Sequence, residues 1–396
     1  MSEVEELTPA QRLKFLLLAG GASVTGEAVQ RLDEIVGGGE WSPADYASTK
    51  GLILRLEDDV WVNMPVERYN PAVASGSSIL FDVDDEGFFV AGHGFFTRAE
   101  FWRPPAYLGA KASNGRPIKN FVVGHGDRVR LSPTIGCAMT CDFCNIPFDD
   151  TYAGLKPVDV MIESLRTAFD DPIQPAQHIL ISGGTPGPPH VAGLREVYER
   201  VINEFPDRLV DIMMVPVKDL FDLPHLDGLG LNQISINLEI YDEAVAAQIM
   251  RHKHRQGRQY YLDFLETAAD YLGPGRVRSM LMVGLEPMES TLAGVRALLE
   301  RGCVPVLSPF IPDPVTPMAK APFELLTGMN IMSNRPPTAE YSLEVFLRAN
   351  DMAADFGVTL GPDCVPCMHN TMTLPHFGAK PTEHYAHHLP LLASGV

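Results

Sequence analysis

The sequence predicts an α/β protein, and three observations support that prediction. From about residue 129 onward, short apolar segments typical of buried strands alternate with longer segments typical of helices. Polar, glycine-rich and cysteine-containing motifs fall at or near the ends of the strand segments, where a (β/α) barrel places its binding loops. The region before residue 129 lacks this alternation. We therefore predict a partial or complete TIM-type (β/α) barrel with a small N-terminal α+β domain and a C-terminal extension.

The barrel is predicted to occupy residues 129–365, with residues 366–396 as the extension. Its strands are predicted at 129–133, 178–182, 210–216, 233–240, 277–285, 304–309 and 359–361. Its helices are predicted at 158–169, 193–204, 258–271, 290–301 and 339–356. Six or seven βα units follow from this pattern.

The N-terminal part is predicted as a helical cap over 1–65 and a small β-rich connecting region over 66–128. Helices are expected after Thr8, over 23–36 and over 41–54, because proline at a helix start and an apolar face are typical of helices. Strands are expected over 78–96, with a hairpin turn at 85–87. No residue here has an evident chemical role, so packing is the predicted one.

Composition limits the possible functions. The chain has 396 residues, 45% of them hydrophobic and 20% charged, with a formal net charge of −19. Strong negative charge disfavours nonspecific binding to nucleic acid or anionic membranes, so a small-molecule substrate is expected. The apolar run at 13–19 is too short to span a bilayer, and the acidic start is not a signal peptide. A cytoplasmic protein without a disulfide framework is predicted.

Three cysteines form the most informative motif. Cys137, Cys141 and Cys144 follow a predicted strand with C-x3-C-x2-C spacing, and Phe143 precedes the last of them. Three thiolates hold three irons of a [4Fe–4S] cube and leave the fourth iron open. A structural zinc site with a distant fourth ligand and three buried free thiols are the alternatives.

This motif resembles that of radical S-adenosylmethionine (SAM) enzymes, in particular the biotin synthase and lipoyl synthase branch. The resemblance covers about residues 129 to 365. It implies that the cluster binds SAM and, once reduced by flavodoxin or ferredoxin, cleaves it to methionine and a 5′-deoxyadenosyl radical. That radical would abstract hydrogen from the substrate.

The second strand ends in a glycine-rich turn that the resemblance also covers. The turn consists of Gly183, Gly184, Thr185 and Pro186. It is similar to the Gly-Gly-Glu-Pro turn that contacts the SAM amino group in this superfamily. Thr185 replaces the more frequent Glu, so backbone carbonyls or the Thr185 hydroxyl would accept the ammonium hydrogen bonds. Without the resemblance, the segment reads as an ordinary turn.

The later strands supply the remaining cofactor candidates. Asn237 and Glu239 are two residues apart and are expected on one face of a strand, inside the barrel. They resemble the Asn-Leu-Asp/Glu segment that binds the SAM ribose, and a structural polar network is the alternative. By the same resemblance, the strand containing Gly284 contacts SAM near its adenosine, and the backbone around Leu307 flanks the adenine.

A basic run, Arg-His-Lys-His-Arg-Gln-Gly-Arg, occupies 251–258 in this otherwise acidic chain. Related enzymes place an arginine here that pairs with the SAM carboxylate, for which Arg255 and then Arg258 are the candidates. A guanidinium suits a carboxylate because it forms two parallel hydrogen bonds. A solvated helix start is the alternative.

Cys364 and Cys367 form a second motif, C-x2-C followed by His369, just beyond the last predicted strand. We expect them at the mouth of the active site. There they would ligate a second iron–sulfur cluster, bind zinc with His369 or another histidine, form a redox dithiol, or simply be buried. Cys303 is predicted to be a core cysteine. The histidines at 376, 384, 387 and 388 are expected in a surface tail.

These features predict a radical SAM enzyme acting on a small biosynthetic molecule, with sulfur insertion from an auxiliary cluster at Cys364 and Cys367 as one outcome. Residues 1–136 contain no cysteine, so the N-terminal auxiliary motif of lipoyl synthase is absent. Radical rearrangement, fragmentation or dehydrogenation without a second cluster is the alternative. A zinc-stabilised binding barrel is the non-enzymatic alternative.

Overall fold

The fold is taken from a computed structural model that describes residues 7–45, 50–321, 334–375 and 377. Within them, a seven-stranded half-barrel sheet packs with its helices, and a six-stranded sheet lies beside it. The histidines at 376, 384, 387 and 388 lie outside the described residues. Among the described helices, none combines the length and the apolar character that crossing a bilayer requires.

The half-barrel sheet contains six neighbouring parallel strands and one antiparallel edge strand. Its strands in spatial order are β15 (Val304–Pro309), β14 (Val277–Val283), β13 (Gln233–Ile236), β12 (Val210–Met214), β11 (His178–Ser182), β8 (Arg128–Leu131) and the edge strand β7 (Val122–His125). The two outer strands, β15 and β7, do not pair with each other, so the described barrel is partial. The predicted α/β fold is confirmed in this form.

Helices cover the outer face of this sheet and complete its apolar core. The helices after β8 are α4 (Ile146–Asp149), α5 (Val158–Phe169), α6 (Val191–Glu204), α7 (Leu223–Leu229), α8 (Glu243–Ile249), α9 (Arg251–Gln256), α10 (Arg258–Leu272), α11 (Met288–Leu299), α12 (Pro317–Lys320) and α13 (Ala339–Asp355). A small antiparallel pair, β9 (Thr134–Ile135) and β10 (Gly154–Leu155), brackets the cysteine loop. Cys303 is fully buried just before β15, in the core as predicted.

The N-terminal region forms one unit that crosses the predicted boundary at residue 65. Its helices are α1 (Pro9–Gly20), α2 (Gly26–Val36) and α3 (Pro71–Ala74), and its strands are β1 (Ser23–Val24), β2 (Gly51–Leu56), β3 (Val60–Pro65), β4 (Leu80–Asp84), β5 (Gly87–Gly92) and β6 (Phe95–Phe101). They form a single sheet in the order β1-β4-β5-β6-β2-β3. The division into a helical cap and a separate β region is therefore wrong.

The helix predicted over 41–54 is also wrong, because residues 51–56 form strand β2. Leu52 and Leu54 point into the core under α1, whereas Ile53 packs on the opposite face against Trp61 and Trp102. A run buried on both faces has no alternation, and its periodicity does not distinguish a strand from a buried helix. The hairpin turn between β4 and β5 is confirmed.

The N-terminal unit packs across the open side of the half-barrel. Lys14 of α1 is fully buried and donates to the backbone carbonyls of Met368 and Thr373. Nearer the cysteine loop, Asp45 forms an ion pair with Arg130 of β8, with an N–O distance of 2.5 Å. This unit thus contacts both the C-terminal segment and the interior face of the barrel.

Candidate active site

The three cysteines of the triplet lie on the loop that follows β8 and β9, at the carboxyl end of the parallel strands. Cys141 is buried, and Cys137 and Cys144 are partly buried. Two backbone N–H groups donate to the Cys137 sulfur, from Met139 at 3.4 Å and from Thr185 at 3.1 Å. Phe143 packs beside Cys141 in a separate apolar cluster.

The glycine-rich turn after β11 is hydrogen-bonded to the cysteine loop. The Ala138 N–H donates to the Thr185 carbonyl, and the Thr134 hydroxyl donates to the Gly184 carbonyl. A Cβ atom on Gly184 would lie 2.0 Å from the Gly136 carbonyl oxygen and 2.7 Å from the Cys137 Cα. Only glycine therefore permits this approach. The sequence-predicted turn and triplet form one structure.

Asn237 and Glu239 lie just past the end of β13 and do not form a regular strand. The Asn237 side-chain oxygen accepts from the Met280 N–H at 3.2 Å, replacing a backbone acceptor of the sheet. Glu239 follows with a positive φ of 64° and bridges to Leu281 of β14. The strand predicted over 233–240 therefore stops at Ile236, and a bulge-like irregularity re-aims the Glu239 side chain.

Lys253, in the middle of the basic run, is the partner of Glu239 and was not predicted as a site residue. Its amino group lies 2.6 Å from the Glu239 carboxylate and 3.2 Å from the Asn237 carbonyl oxygen. Burial lowers the pKa of Lys253, but the charge and hydrogen bond of Glu239, together with Tyr261 and Cys141, raise that pKa above its ordinary value. Lys253 is therefore charged at neutral pH.

The triplet and this ion pair are close in space. Burial raises the pKa of Cys141 well above its ordinary value and that of Cys144 to about 12, and the charge of Glu239 adds to both effects. Thiols in such surroundings are protonated at neutral pH unless a cation replaces the proton. The negative charge of Glu239 beside these thiols favours a positively charged metal centre in the loop.

The two arginine candidates are placed differently. Arg258 donates to the Tyr241 carbonyl oxygen at 2.8 Å and stacks on the Tyr241 ring, and Glu243 lies 3.5 Å away. Arg255 is exposed on α9. Of the two, Arg258 is already engaged in contacts within the protein.

The candidates on β14 and β15 are held by packing and by backbone pairing. Gly284 has a φ of 105° and lies against the Pro337 side chain. Leu307 is fully buried, and its carbonyl oxygen accepts from the Met372 N–H. Glu286, nearby, is fully buried and accepts from the N–H groups of Tyr241 and Asp242.

Residues 131–297 match the sequence model of the family described as the radical SAM superfamily. The chain carries a radical SAM domain. A curated relative, the bacteriochlorophyllide c C-7(1)-hydroxylase of Chlorobaculum limnaeum, is 24% identical over 301 residues, which are 68% of this chain and 70% of the relative. These comparisons do not single out the biotin synthase and lipoyl synthase branch.

Two solved structures are similar to the chain at low scores. A radical SAM methyltransferase from Sphaerobacter thermophilus aligns with a TM-score of 0.42 and 12% identity over 73% of this chain and 78% of that one. A methylornithine synthase aligns with a TM-score of 0.38 and 14% identity over 67% and 81%. At these scores, neither likeness carries an argument about individual residues.

The cofactors of a radical SAM domain are a [4Fe–4S] cluster and SAM. The residues present fit the cluster in two respects. They supply three thiols on one loop, and backbone N–H groups already donate to the Cys137 sulfur, as they do to the sulfurs of iron–sulfur sites. Glu239 and Lys253 lie close to Cys141 and Cys144 of this loop.

The expected position of Cys364 and Cys367 at the active-site mouth is wrong. Beyond Gly361, which bridges to Val306 of β15, the chain turns back to the amino ends of the parallel strands. The Cys364 sulfur lies 2.9 Å from Asp127, in the turn before β8, and the Cys367 sulfur lies 3.5 Å from His178, the first residue of β11. The two motifs therefore lie at opposite ends of the radical SAM barrel.

At this end, four side chains form what we term the amino-end cluster. Its members are Asp127, His178, Cys364 and Cys367. One potential ligand atom from each lies within 4.8 Å of all the others. His369 is not among them, because its Nδ1 faces the Pro366 carbonyl oxygen at 2.8 Å and its ring stacks on His125.

Proposed function

We propose that this radical SAM protein cleaves SAM reductively and uses the resulting 5′-deoxyadenosyl radical to abstract hydrogen from a small-molecule substrate. The observation that supports it best is the triplet loop braced by the 183–186 turn, with two N–H groups directed at the Cys137 sulfur. When bound at Cys137, Cys141 and Cys144, the cluster supplies the electron for this cleavage, which flavodoxin or ferredoxin would deliver.

The chain's own residues would hold SAM beside the triplet. We assign the amino group to the turn of Gly183, Gly184, Thr185 and Pro186. Two of its carbonyl oxygens already accept hydrogen bonds from Thr134 and Ala138, so the Thr185 hydroxyl is the preferred acceptor.

The ribose hydroxyls are assigned to Glu239, which the ion pair with Lys253 holds in position. Asn237 would hold the irregular end of β13 in place rather than bind the ribose through its oxygen, because that oxygen accepts from Ser235 and Met280. Arg255 is the preferred partner of the SAM carboxylate, because Arg258 is engaged by Tyr241 and Glu243.

The remaining assignments concern the shape of the pocket. Phe143 would shield the cluster loop from water, since it packs beside Cys141. Gly284 would contact the adenosine through its backbone, because the Pro337 side chain fills the space where a side chain at 284 would lie. Leu307 would support the adenine site from behind, because its side chain lies in the core shared with the helices and its carbonyl oxygen is bonded to Met372. A closed pocket matters because the 5′-deoxyadenosyl radical must react with the substrate before side reactions consume it.

For the fate of the substrate radical, we favour oxidation of a C–H group to an alcohol over sulfur insertion. The curated relative is named as a hydroxylase, which supports this choice. Loss of one electron from the substrate radical and addition of water balance the reaction: SAM, R–H and water give methionine, 5′-deoxyadenosine, R–OH and a proton. The electron that starts the cleavage is recovered in the oxidation step.

Sulfur insertion is disfavoured by distance. A sulfur donor must lie next to the substrate carbon, yet Cys364 and Cys367 contact the amino end of β11, and five strand residues separate that end from the glycine-rich turn. At about 3.3 Å per residue, this separation is roughly 16 Å.

Anaerobic reconstitution tests the proposed chemistry. With iron, sulfide, SAM and dithionite, the wild type is expected to bind about four irons at the triplet and to release 5′-deoxyadenosine. Cys141→Ala should do neither. Cys303→Ala is the matched control, because it removes a buried cysteine elsewhere in the core. Wild-type protein that binds no cluster, or binds one without releasing 5′-deoxyadenosine, would refute the proposal.

The oxygen source tests the proposed outcome. Bacteriochlorophyllide c, the compound in the relative's name, is the first probe, and the reaction is run in water labelled with oxygen-18. We expect a hydroxylated product that carries the label. A product that contains sulfur, or an isomerised or dehydrogenated product without added oxygen, would support the alternatives instead.

A further inference from the structure

The amino-end cluster has the composition of a single transition-metal site. It offers two thiols, one imidazole and one carboxylate, the ligand types that bind zinc with four-coordinate geometry. Thiol ligands argue against magnesium and calcium, which prefer oxygen. Among the described residues, it is the one group of such side chains found to be compact enough to share one ion.

The distances within the cluster suit a mononuclear centre. The Cys364 sulfur lies 2.9 Å from the Asp127 carboxylate, and the Cys367 sulfur lies 3.5 Å both from that carboxylate and from His178 Nε2. Metal–ligand bonds of about 2.0–2.3 Å in a tetrahedron place ligand atoms roughly 3–4 Å apart. Small movements of these side chains would therefore surround one ion, whereas an iron–sulfur cube needs more widely spaced thiolates.

The two cysteines lie on a turn shaped for this role. The Cys367 N–H donates to the Cys364 carbonyl oxygen at 3.1 Å and lies 3.3 Å from the Cys364 sulfur. Such N–H to sulfur contacts orient ligating thiolates. Both thiols are free and buried, and both approach Asp127.

A close contact fixes this turn on the hairpin that carries Asp127. Gly126 has a φ of 62°, and a Cβ atom there would lie 2.8 Å from the Pro366 carbonyl oxygen. Glycine at 126 thus lets the backbone of the C-x2-C turn rest on the hairpin between β7 and β8. Arg128, the next residue but one, brings a positive charge that offsets the excess negative charge of two thiolates and a carboxylate around a divalent ion.

We propose that the amino-end cluster binds one Zn²⁺ ion in a closed, structural site that ties the C-terminal segment to the bottom of the half-barrel. Four protein ligands complete the tetrahedron and leave no position for substrate. The tied segment also supports the N-terminal unit. Val365 and Met368 pack against Ile53 and two tryptophans, and the buried Lys14 donates to the Met368 carbonyl oxygen.

Metal analysis of the full-length protein tests this site. Protein produced with both iron and zinc available is expected to contain about one zinc per chain in addition to the iron of the triplet. The double variant Cys364→Ser/Cys367→Ser should lose the zinc and unfold at a lower temperature. Cys303→Ala should keep the zinc, and so should Cys141→Ala, which separates this test from that of the proposed catalytic function.

A second measurement keeps the test decisive if the double variant fails to fold. Wild-type protein is stripped of zinc with a chelator and loaded with Co²⁺ alone. We expect the intense visible bands of tetrahedral cobalt and the ultraviolet band of cobalt–thiolate bonds, both abolished by added zinc. Wild-type protein that binds neither zinc nor cobalt here would overturn the proposal. Extra iron and sulfide that depend on Cys364 and Cys367 would overturn it in favour of a second cluster.

Discussion

Cysteines lie at both ends of the half-barrel, but the residues around them differ. At the carboxyl end, Cys137, Cys141 and Cys144 come from one loop, and two of them are partly exposed. At the amino end, Cys364 and Cys367 meet a carboxylate and an imidazole from two other elements. The two thiols and the imidazole are buried, and Asp127 is partly buried. Exposure and an incomplete ligand set favour reactivity at the first end, whereas burial and a complete set favour a structural role at the second.

The largest expected effect is that substitutions at one end reduce activity and substitutions at the other end reduce stability. Cys141→Ala should reduce 5′-deoxyadenosine formation by about 1000-fold or more, which is about 4 kcal/mol in the barrier, and leave thermal stability nearly unchanged. Cys364→Ser/Cys367→Ser should do the opposite, with activity within about threefold of wild type below its unfolding temperature. Activity assays and thermal unfolding of both proteins measure this. Equal loss of activity in the two variants would contradict the division of roles.

Backbone packing at the carboxyl end provides the next test. Gly184→Ala should displace the glycine-rich turn from the cysteine loop, because its Cβ would overlap the Gly136 carbonyl oxygen. We expect a loss of about 3 kcal/mol in the free energy of unfolding and lower iron content, with zinc unchanged. Gly228→Ala is the control, since a Cβ there meets nothing within 4 Å on helix α7. Iron content that is equal in the two variants would show that the contact does not position the loop.

The carboxyl end was largely predictable from sequence, and the amino end was not. The triplet, the glycine turn and the strands at 178–182 and 304–309 follow from local patterns, and the structure places both strands at the predicted bounds. Asp127 and Cys364 are 237 positions apart in sequence, so no spacing rule connects them. Their meeting depends on the chain turning back after Gly361, which local propensity does not encode.

The ion pair between Glu239 and Lys253 could not be predicted from the sequence for a similar reason. Lys253 is the third residue of a basic run, and nothing in the run distinguishes it from its neighbours. Its burial follows from the way α9 packs against the irregular end of β13, which places its amino group between Glu239 and the Asn237 carbonyl. The arginines of the same run, which the resemblance favoured, are exposed or engaged elsewhere.

A smaller effect is expected at this ion pair. Lys253→Met leaves the Glu239 carboxylate without its cation, so ribose binding should weaken and the KM for SAM should rise about tenfold, or about 1.4 kcal/mol. The maximal rate of SAM cleavage should change less, because no reacting atom is touched. Lys218→Met, which removes an exposed lysine, is the control. A drop in maximal rate with an unchanged KM would assign Lys253 a different role.

The smallest expected effect concerns how the carboxyl end is held. Glu286 accepts hydrogen bonds from the N–H groups of Tyr241 and Asp242 and from the Thr291 hydroxyl, and thereby fixes the loop that follows Glu239. Burial raises the pKa of Glu286 from 4.5 to about 7, although these hydrogen bonds oppose the rise. Glu286, which titrates near neutral pH, would then stabilise the carboxyl end. A metal ion would stabilise the amino end.

The sign of the pH effect follows from proton uptake. Below about pH 4.5, Glu286 is protonated in both the folded and the unfolded state and contributes no pH dependence. Between that pH and about 7, the folded state keeps a proton that the unfolded state has lost, so stability falls as pH rises and levels off above 7. Between about pH 5 and 6 the loss should be about 1 kcal/mol. Glu286→Gln, which cannot titrate, should flatten this slope in denaturant unfolding of zinc-loaded protein. If the variant keeps the full wild-type slope, the pH dependence originates at another group, and Glu286 holds the loop as an ordinary carboxylate.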